Sequence, residues 1–265
     1  MKTKVICEVG LNHMGSEILA KKYLNTLVKS GTDGISFQIK SKLFYNQFNN
    51  FKKNKDMSFY KNFREKSFYT NVLKKKNISG LELSNNFYKY ARDVCKKNKK
   101  MFGIALGDID KIAFFSKIKI DFIKILSEDF FNISLINKIL KSNIPLVCLS
   151  TGSISQKNII ILIKKIKKSS LKKICLIYTK FSKKNTAADL KNIEKYKKIH
   201  PMVAYGNHSH NQSSVLSSLR YSPNYIFFYI KSNQSAVSHP DEKHAVSLRD
   251  SKKIINKIIS NKINA

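Results

Sequence analysis

The chain has 265 residues, 42% of them hydrophobic with 17 Phe and 12 Tyr, which supports one large packed domain and excludes a disordered chain. Its formal net charge of +33 invites a polyanionic partner. The excess is nearly all Lys, spread along the chain, with only Arg64, Arg92, Arg220 and Arg249 for bidentate contacts; this argues against nucleic-acid binding as the main function.

The opening "MKTKVICEVG" has too short an apolar run for a signal peptide, and no stretch approaches a membrane span, so a soluble cytoplasmic protein is expected. Short apolar, β-branched runs then predict strands at residues 4–12, 34–40, 100–108, 121–129, 145–152, 173–180, 202–208 and 225–232. Amphipathic segments such as "SEILAKKYLNTLVKS", "NNFYKYARDVCKKNK" and "SLINKILKSN" lie between them, and "SLRDSKKIINKIISN" predicts a last helix. Residues 41–80 form an irregular insertion after the second strand, rich in Phe, Tyr and Lys. Cys7, Cys95, Cys148 and Cys175 show no C-x-x-C spacing; three of them sit in apolar runs as small buried hydrophobes.

Eight buried strands alternating with helices predict an α/β fold of the (β/α)8 TIM-barrel type, a single domain spanning residues 1–265. An open doubly wound sheet has the same alternation, but no G-x-G-x-x-G follows the first strand. In such a barrel chemistry belongs to the carboxyl ends of the strands, where the insertion would also lie. Those ends carry Glu8, Asn12 and His13, then Gln38, Asp108, Lys124 with Ser127, Glu128 and Asp129, then Ser150 and Thr151, Thr179 and Lys180, and finally Asn207 and His208. Lys124 inside "FIKILS" is costly unless it meets an anion. With Ser127, Ser150 and Thr151 as hydroxyl donors it marks either a phosphate or carboxylate site or a Lys–carboxylate pair within the core. "GNHSHNQ" raises the same kind of choice for His208 and His210, between a metal site and an exposed loop.

Several stretches carry a family resemblance. "EVGLNHMGSEILAKKYLNTLVKSGTDGISFQ" resembles the opening of the sialic acid synthase (N-acetylneuraminate synthase, NeuB-like) family, where E-x-G-x-N-H-x-G leads into G-A-D-x-x-K-F-Q. "KILSEDFFNISLINKILKSNIPLVCLSTGS" is similar to the family's K-I-x-S-G-D/E-x-x-N…L-S-T-G stretch, "VAYGNHS" to its G-Y-S-D-H-T, and "KHAVSL" to its D-H-x-x-S-L. The resemblance runs in order along the whole chain.

The resemblance implies a (β/α)8 transferase that condenses phosphoenolpyruvate with an N-acylated hexosamine, giving a nonulosonic 2-keto acid for surface carbohydrate biosynthesis. It implies a divalent metal, manganese or magnesium, held by two histidines. Lys124, Ser127 and Ser150 match positions that hold phosphoenolpyruvate, with Thr151, Thr179 and Asn207 beside them. Gln38 and Asp129 match residues of the substrate pocket, and Glu8, Asn12 and His13 match the signature at the barrel mouth. Glu8, Lys124 and Asp129 are the expected catalytic residues; His208 matches the first metal histidine, and His210 faces away.

The chain departs from the family pattern at several points. Strand eight reads "YIFFYIKS", without the family's second histidine, so a metal would need His239, His244 or a carboxylate to bend in. Ser36 replaces a lysine expected to face phosphoenolpyruvate; Lys40 shares the strand face of Gln38 and is the expected substitute, with Lys180 offsetting the loss elsewhere. The chain reaches Ala265 without the antifreeze-like C-terminal domain through which the family dimerises, which leaves a homodimer open. The alternative reading is a catalytically degenerate barrel that binds a sugar or a protein partner.

Overall fold

The computed structural model describes residues 3–39, 81–152, 154–180, 182–233, 239 and 241–261. Lys40 and the insertion at 41–80 lie outside the described residues. Eight parallel strands follow one another in chain order: β1 Lys4–Gly10, β2 Gly34–Ile39, β3 Met101–Leu106, β4 Phe122–Ile125, β5 Leu146–Ser150, β6 Ile174–Thr179, β7 Val203–Asn207 and β8 Tyr225–Lys231. β8 pairs back with β1, from Lys4↔Tyr225 to Glu8↔Tyr229, and closes the sheet into a barrel. The predicted (β/α)8 architecture is therefore the one observed, and all eight strands fall within their predicted runs.

Closure follows from the sequence pattern. A strand buried on both faces reads as a continuous apolar run, and its residues alternate between barrel interior and helix layer. Ile6, Phe122, Leu146, Cys148, Cys175, Ile177, Ala204 and Phe227 fill the interior. The intervening residues, such as Val5, Cys7, Ile123, Ile125, Leu149, Tyr205 and Phe228, pack outward against the helices. Gly103 lets β3 take part in this layer. A Cβ there would stand 2.2 Å from the Phe122 ring. Replacing Gly103 by Ala forces that ring aside, and we expect a loss of about 1–3 kcal/mol in urea unfolding.

The helices are built by matching stripes and caps. In α1 (Glu17–Leu27), Ala20, Tyr23, Leu24 and Leu27 are buried, and the Ser16 hydroxyl accepts from the Leu19 amide. In α2 (Asn85–Lys97) the buried set is Phe87, Tyr88, Ala91 and Cys95, under a Ser84 cap. Next come α3 (Ile112–Lys117), α4 (Ile133–Lys141) and α5 (Gln156–Lys165). They are followed by α6 (Ala187–Leu190), α7 (Asn192–Lys197) and α8 (Ser213–Ser217). A short strand β9 (Val246–Ser247) pairs with Ile230 and Lys231 at the end of β8 and leads into α9 (Leu248–Asn261). This pairing folds the chain back over the carboxyl end of β8, beside the barrel mouth.

Candidate active site

Strand alternation decides which polar residues reach the barrel axis. Two steps beyond Ile6 on β1 stands Glu8; two steps beyond Phe122 on β4 stands Lys124. Their side chains meet across the barrel, with Lys124 Nζ donating to Glu8 Oε1 at 2.6 Å and Oε2 at 2.9 Å. Both are buried, at 1% and 2% exposure. The same ammonium lies 5.2 Å from the Tyr229 ring centre and 5.7 Å from that of Phe227. Burial pushes the Glu8 carboxyl above the usual carboxylate range, while Lys124 draws it down. Of the two readings of Lys124, the structure shows the Lys–carboxylate pair, set in the core below the barrel mouth.

Around this pair the same parity brings in Gln38 and Ser36 from β2, Ser150 from β5, Thr179 from β6 and His208 just beyond β7, all buried. The Gln38 Nε2 amide and the Thr179 hydroxyl have no hydrogen-bond partner among the described residues. Buried polar groups are nearly always hydrogen-bonded, so these two mark the places where a ligand's polar atoms would fit. Ser127 and Asp129 lie on the short 3-10 turn after β4 (Ser127–Asp129). A Cβ on Gly152 would come 2.7 Å from Ser127 Cβ, and one on Gly107 would come 2.7 Å from Asp129 Oδ2, so both side chains fold against neighbouring strand ends at the rim.

Four other predicted residues turn away from the axis and fasten the loops. Asn12 Nδ2 donates to the Ile230 carbonyl at 2.8 Å, and its Oδ1 accepts from the Asp241 amide at 3.3 Å. Thr151 donates to the Ile177 carbonyl and accepts from Tyr196 Oη. Asn207 Oδ1 accepts from Tyr205 Oη at 2.9 Å, on the outward face of β7. His13 is fully buried beside Phe37, with ring centres 6.1 Å apart, and its Nδ1 accepts from the Gly15 amide. Lys180, expected near an anion site, instead reaches outward to Asp189 at 2.6 Å, because its neighbour Thr179 takes the inward position. Lys40 lies outside the described residues.

Burial lowers the His13 pKa from 6.5 to about 3, so the folded protein holds it neutral while the unfolded chain protonates it. Its contribution is whole above pH 6.5 and is lost progressively as pH falls toward 3. We expect the unfolding free energy to drop by about 1.4 kcal/mol per pH unit over this range from His13 alone. Denaturation curves of His13→Phe between pH 7 and pH 5 should show that part of the slope removed.

Two residues beyond those predicted, Tyr229 and Asp241, join the mouth together with His244. Tyr229 is the inward residue at the end of β8, hidden in the sequence as one more aromatic of an apolar run. Asp241 and His244 arrive on the segment leading to β9, both buried at 7% exposure. Gly10, with φ +59°, allows this approach: a Cβ there would meet the Tyr229 ring at 2.8 Å and Asp241 Oδ2 at 3.1 Å. For His244, named above only as a substitute ligand, the position depends on β9 pairing rather than on any local pattern.

The implied metal can be tested against this donor set. Among the described residues no three His, Cys, Asp or Glu side chains assemble into a cage for an ion. Two imidazoles nevertheless lie together, His208 and His244, with ring centres 4.6 Å apart. A buried carboxylate, Asp241 Oδ1, stands 3.3 Å from His244 Nε2. Imidazole nitrogens beside a carboxylate suit a divalent transition metal, with its remaining positions left to water or substrate.

A closed parallel barrel with a polar ring at the carboxyl ends of its strands defines a (β/α)8 protein with a candidate site at its carboxyl mouth. Over residues 24–263 the sequence matches the NeuB family, and the chain belongs to that family. Among solved structures it is similar to the N-acetylneuraminic acid (sialic acid) synthetase of Leptospira borgpetersenii, with TM-score 0.79 and 18% identity, over 100% of this chain and 85% of that one. It is similar also to a spore coat polysaccharide biosynthesis protein E from Chromobacterium violaceum, described there as putative, with TM-score 0.77 and 14% identity over 99% and 75%. The spore coat polysaccharide biosynthesis protein SpsE of Bacillus subtilis follows, with TM-score 0.76 and 16% identity over 99% and 69%. A search of curated protein sequences found no match to the chain. No helix among the described residues is long and apolar enough to cross a membrane.

Proposed function

We propose that the chain condenses phosphoenolpyruvate with an N-acylated amino sugar to a nonulosonic 2-keto acid, for carbohydrate biosynthesis. The observation that carries this reading is the inward ring of Glu8, Gln38, Lys124, Ser150, Thr179 and His208, whose amide and hydroxyl at Gln38 and Thr179 await a partner among the described residues. Family membership and the likeness to a sialic acid synthetase and to polysaccharide biosynthesis proteins support it.

In this reaction C3 of phosphoenolpyruvate attacks the sugar aldehyde, water adds at C2, and phosphate leaves. The Lys124 ammonium faces the carboxylate or phosphate, with Ser127, Ser150 and Thr179 as hydroxyl donors. Glu8 keeps Lys124 in place and, with its pKa raised by burial, is suited to exchange a proton at the reacting centre. Gln38 and Asp129 reach the sugar. A divalent cation held by His208 and His244 would supply Lewis-acid polarisation of the aldehyde. The buried charge pair excludes water from the floor of the site.

One observation favours the second reading, a barrel that binds without turning over. Both oxygens of Glu8 are spent on Lys124, and Ser36 brings no further cation to the axis. Phosphate release from phosphoenolpyruvate, followed with manganese and a panel of N-acyl hexosamines, separates the two. Release that depends on a sugar supports the synthase; a protein that binds the sugar and releases no phosphate from any mixture supports the degenerate barrel.

A further inference from the structure

Residues 130–188 hold no Asp, Glu, Arg or His, so every charged side chain over α4, β5, α5 and β6 is Lys. A uniform excess of lysine would leave the carboxylates scattered, yet all 17 acids of the chain lie outside this stretch. The lysines gather on and beyond α5. Its outer face carries Lys157, Ile160, Ile161, Lys164 and Lys165 at helical spacing, while Ile159, Leu162 and Ile166 pack inward. Lys167, Lys168 and Lys172 follow in and beside the 3-10 turn Lys168–Lys173. The five lysines from Lys164 to Lys172 are exposed, and none forms an ion pair among the described residues. A helix dipole favours a lysine or two in the last turn, but this run continues past the helix end, where that preference stops. Ile160 and Ile161 are 39% and 42% exposed. One exposed isoleucine is ordinary on a surface; two side by side within a lysine strip make a mixed apolar and cationic face.

We propose that the outer face of α5, with the lysines at its end, docks the protein on an anionic lipid bilayer. The lysines are drawn to the headgroup phosphates, and the two isoleucines enter the boundary between headgroups and acyl chains. A nucleic acid fits the strip less well. It offers no arginine for bidentate phosphate contact, and the exposed rings among the described residues, Tyr90 and Phe131, lie on α2 and just beyond β4, so bases find no stacking partner on it. α5 runs from the carboxyl end of β5 back to the start of β6, which puts its lysine end opposite the mouth. Docking there leaves the mouth open to small molecules, and it does not rest on the synthase reading.

The test sediments the full chain with vesicles of equal parts phosphatidylcholine and phosphatidylglycerol, and with vesicles of phosphatidylcholine alone. Binding should be confined to the anionic vesicles and fall as salt rises. Lys164→Gln, Lys165→Gln, Lys167→Gln and Lys168→Gln together should weaken it by at least about 100-fold. Ile160→Ser with Ile161→Ser should weaken it about 10-fold. The control is the same exchange at four exposed lysines elsewhere, Lys96 and Lys97 on α2 and Lys252 and Lys253 on α9. It removes equal charge and should cost less than about 5-fold. All these side chains are exposed, so melting temperatures should stay near that of the parent. Equal losses from the two lysine variants would reduce the effect to bulk charge and overturn the proposal. A folded isoleucine variant that binds as the parent does overturns it too, as does a parent that ignores anionic vesicles. Binding of poly(U) by a parent that leaves the vesicles alone would assign the strip to nucleic acid instead.

Discussion

Lys124→Met is expected to destabilise the protein by about 3–5 kcal/mol, because it strands the Glu8 carboxylate in a site of 2% exposure. The cost comes from the charge left behind, not from the lost contact alone. The loss should therefore depend on pH. In the variant burial still raises the Glu8 pKa above its unfolded value of 4.5 and Lys124 no longer draws it down, so stability is greatest below that value and falls as pH rises through the folded pKa. Urea unfolding at pH 5 and pH 8 should show the larger deficit at pH 8. Adding Glu8→Leu to Lys124→Met should restore most of the stability, since an apolar pair of similar volume removes both desolvation penalties. If the double variant were as unstable as the single one, the pair would not be the cause. The same double variant should lose phosphate release entirely, which separates the pair's service to the site from its service to the fold.

The second large effect falls on His208. Replacement by Gln keeps much of the side-chain volume at a position of 8% exposure, so the melting temperature should change little. Sugar-dependent phosphate release should fall by at least about 100-fold, the order seen when a polarising group is removed from a reacting oxygen. Thr179→Val makes a useful contrast, because it removes one hydroxyl donor and leaves the imidazoles alone. A rise in KM for phosphoenolpyruvate of about 10-fold with little change in kcat is the expected result there. Equal losses in all kinetic constants for both variants would mean that the mouth had collapsed rather than lost a specific contact.

Much of this arrangement can be read without coordinates, for reasons that differ from residue to residue. The strands are legible because parallel strands covered on both faces are apolar throughout, and Lys124 stands out as a cation with apolar residues on both sides in such a run. Parity then places Gln38, Ser150, Thr179 and His208 on the inside together. Asn207 and Thr151 carry the same family motifs, yet parity turns them outward, where they bond Tyr205 and Tyr196. Motif likeness marks a neighbourhood; alternation decides the face. Asn12 and His13 follow the end of β1, where the chain turns and strand parity no longer applies, and both serve to tie loops.

What the sequence hid was tertiary. Asp241 and His244 reach the mouth because a two-residue strand, β9, folds the chain back over β8. A pairing that short has no periodicity to detect. Tyr229 was hidden by composition, being one aromatic among several in "YIFFYIKS". Lys180 follows the inward Thr179, so parity turns its charge outward, where Asp189, held in a capping box with Thr186, pairs with it.

The most direct test of the central claim is the identity of the product. Purified protein, phosphoenolpyruvate, manganese and N-acetylmannosamine, or another N-acyl hexosamine, would be incubated together and the mixture analysed by mass spectrometry beside a phosphate assay. The account predicts a 2-keto acid whose mass equals sugar plus phosphoenolpyruvate plus water minus phosphoric acid, formed in step with phosphate and absent when the sugar is omitted. Folded protein that yields no such acid with any sugar of the panel, or that merely hydrolyses phosphoenolpyruvate to pyruvate, would contradict it.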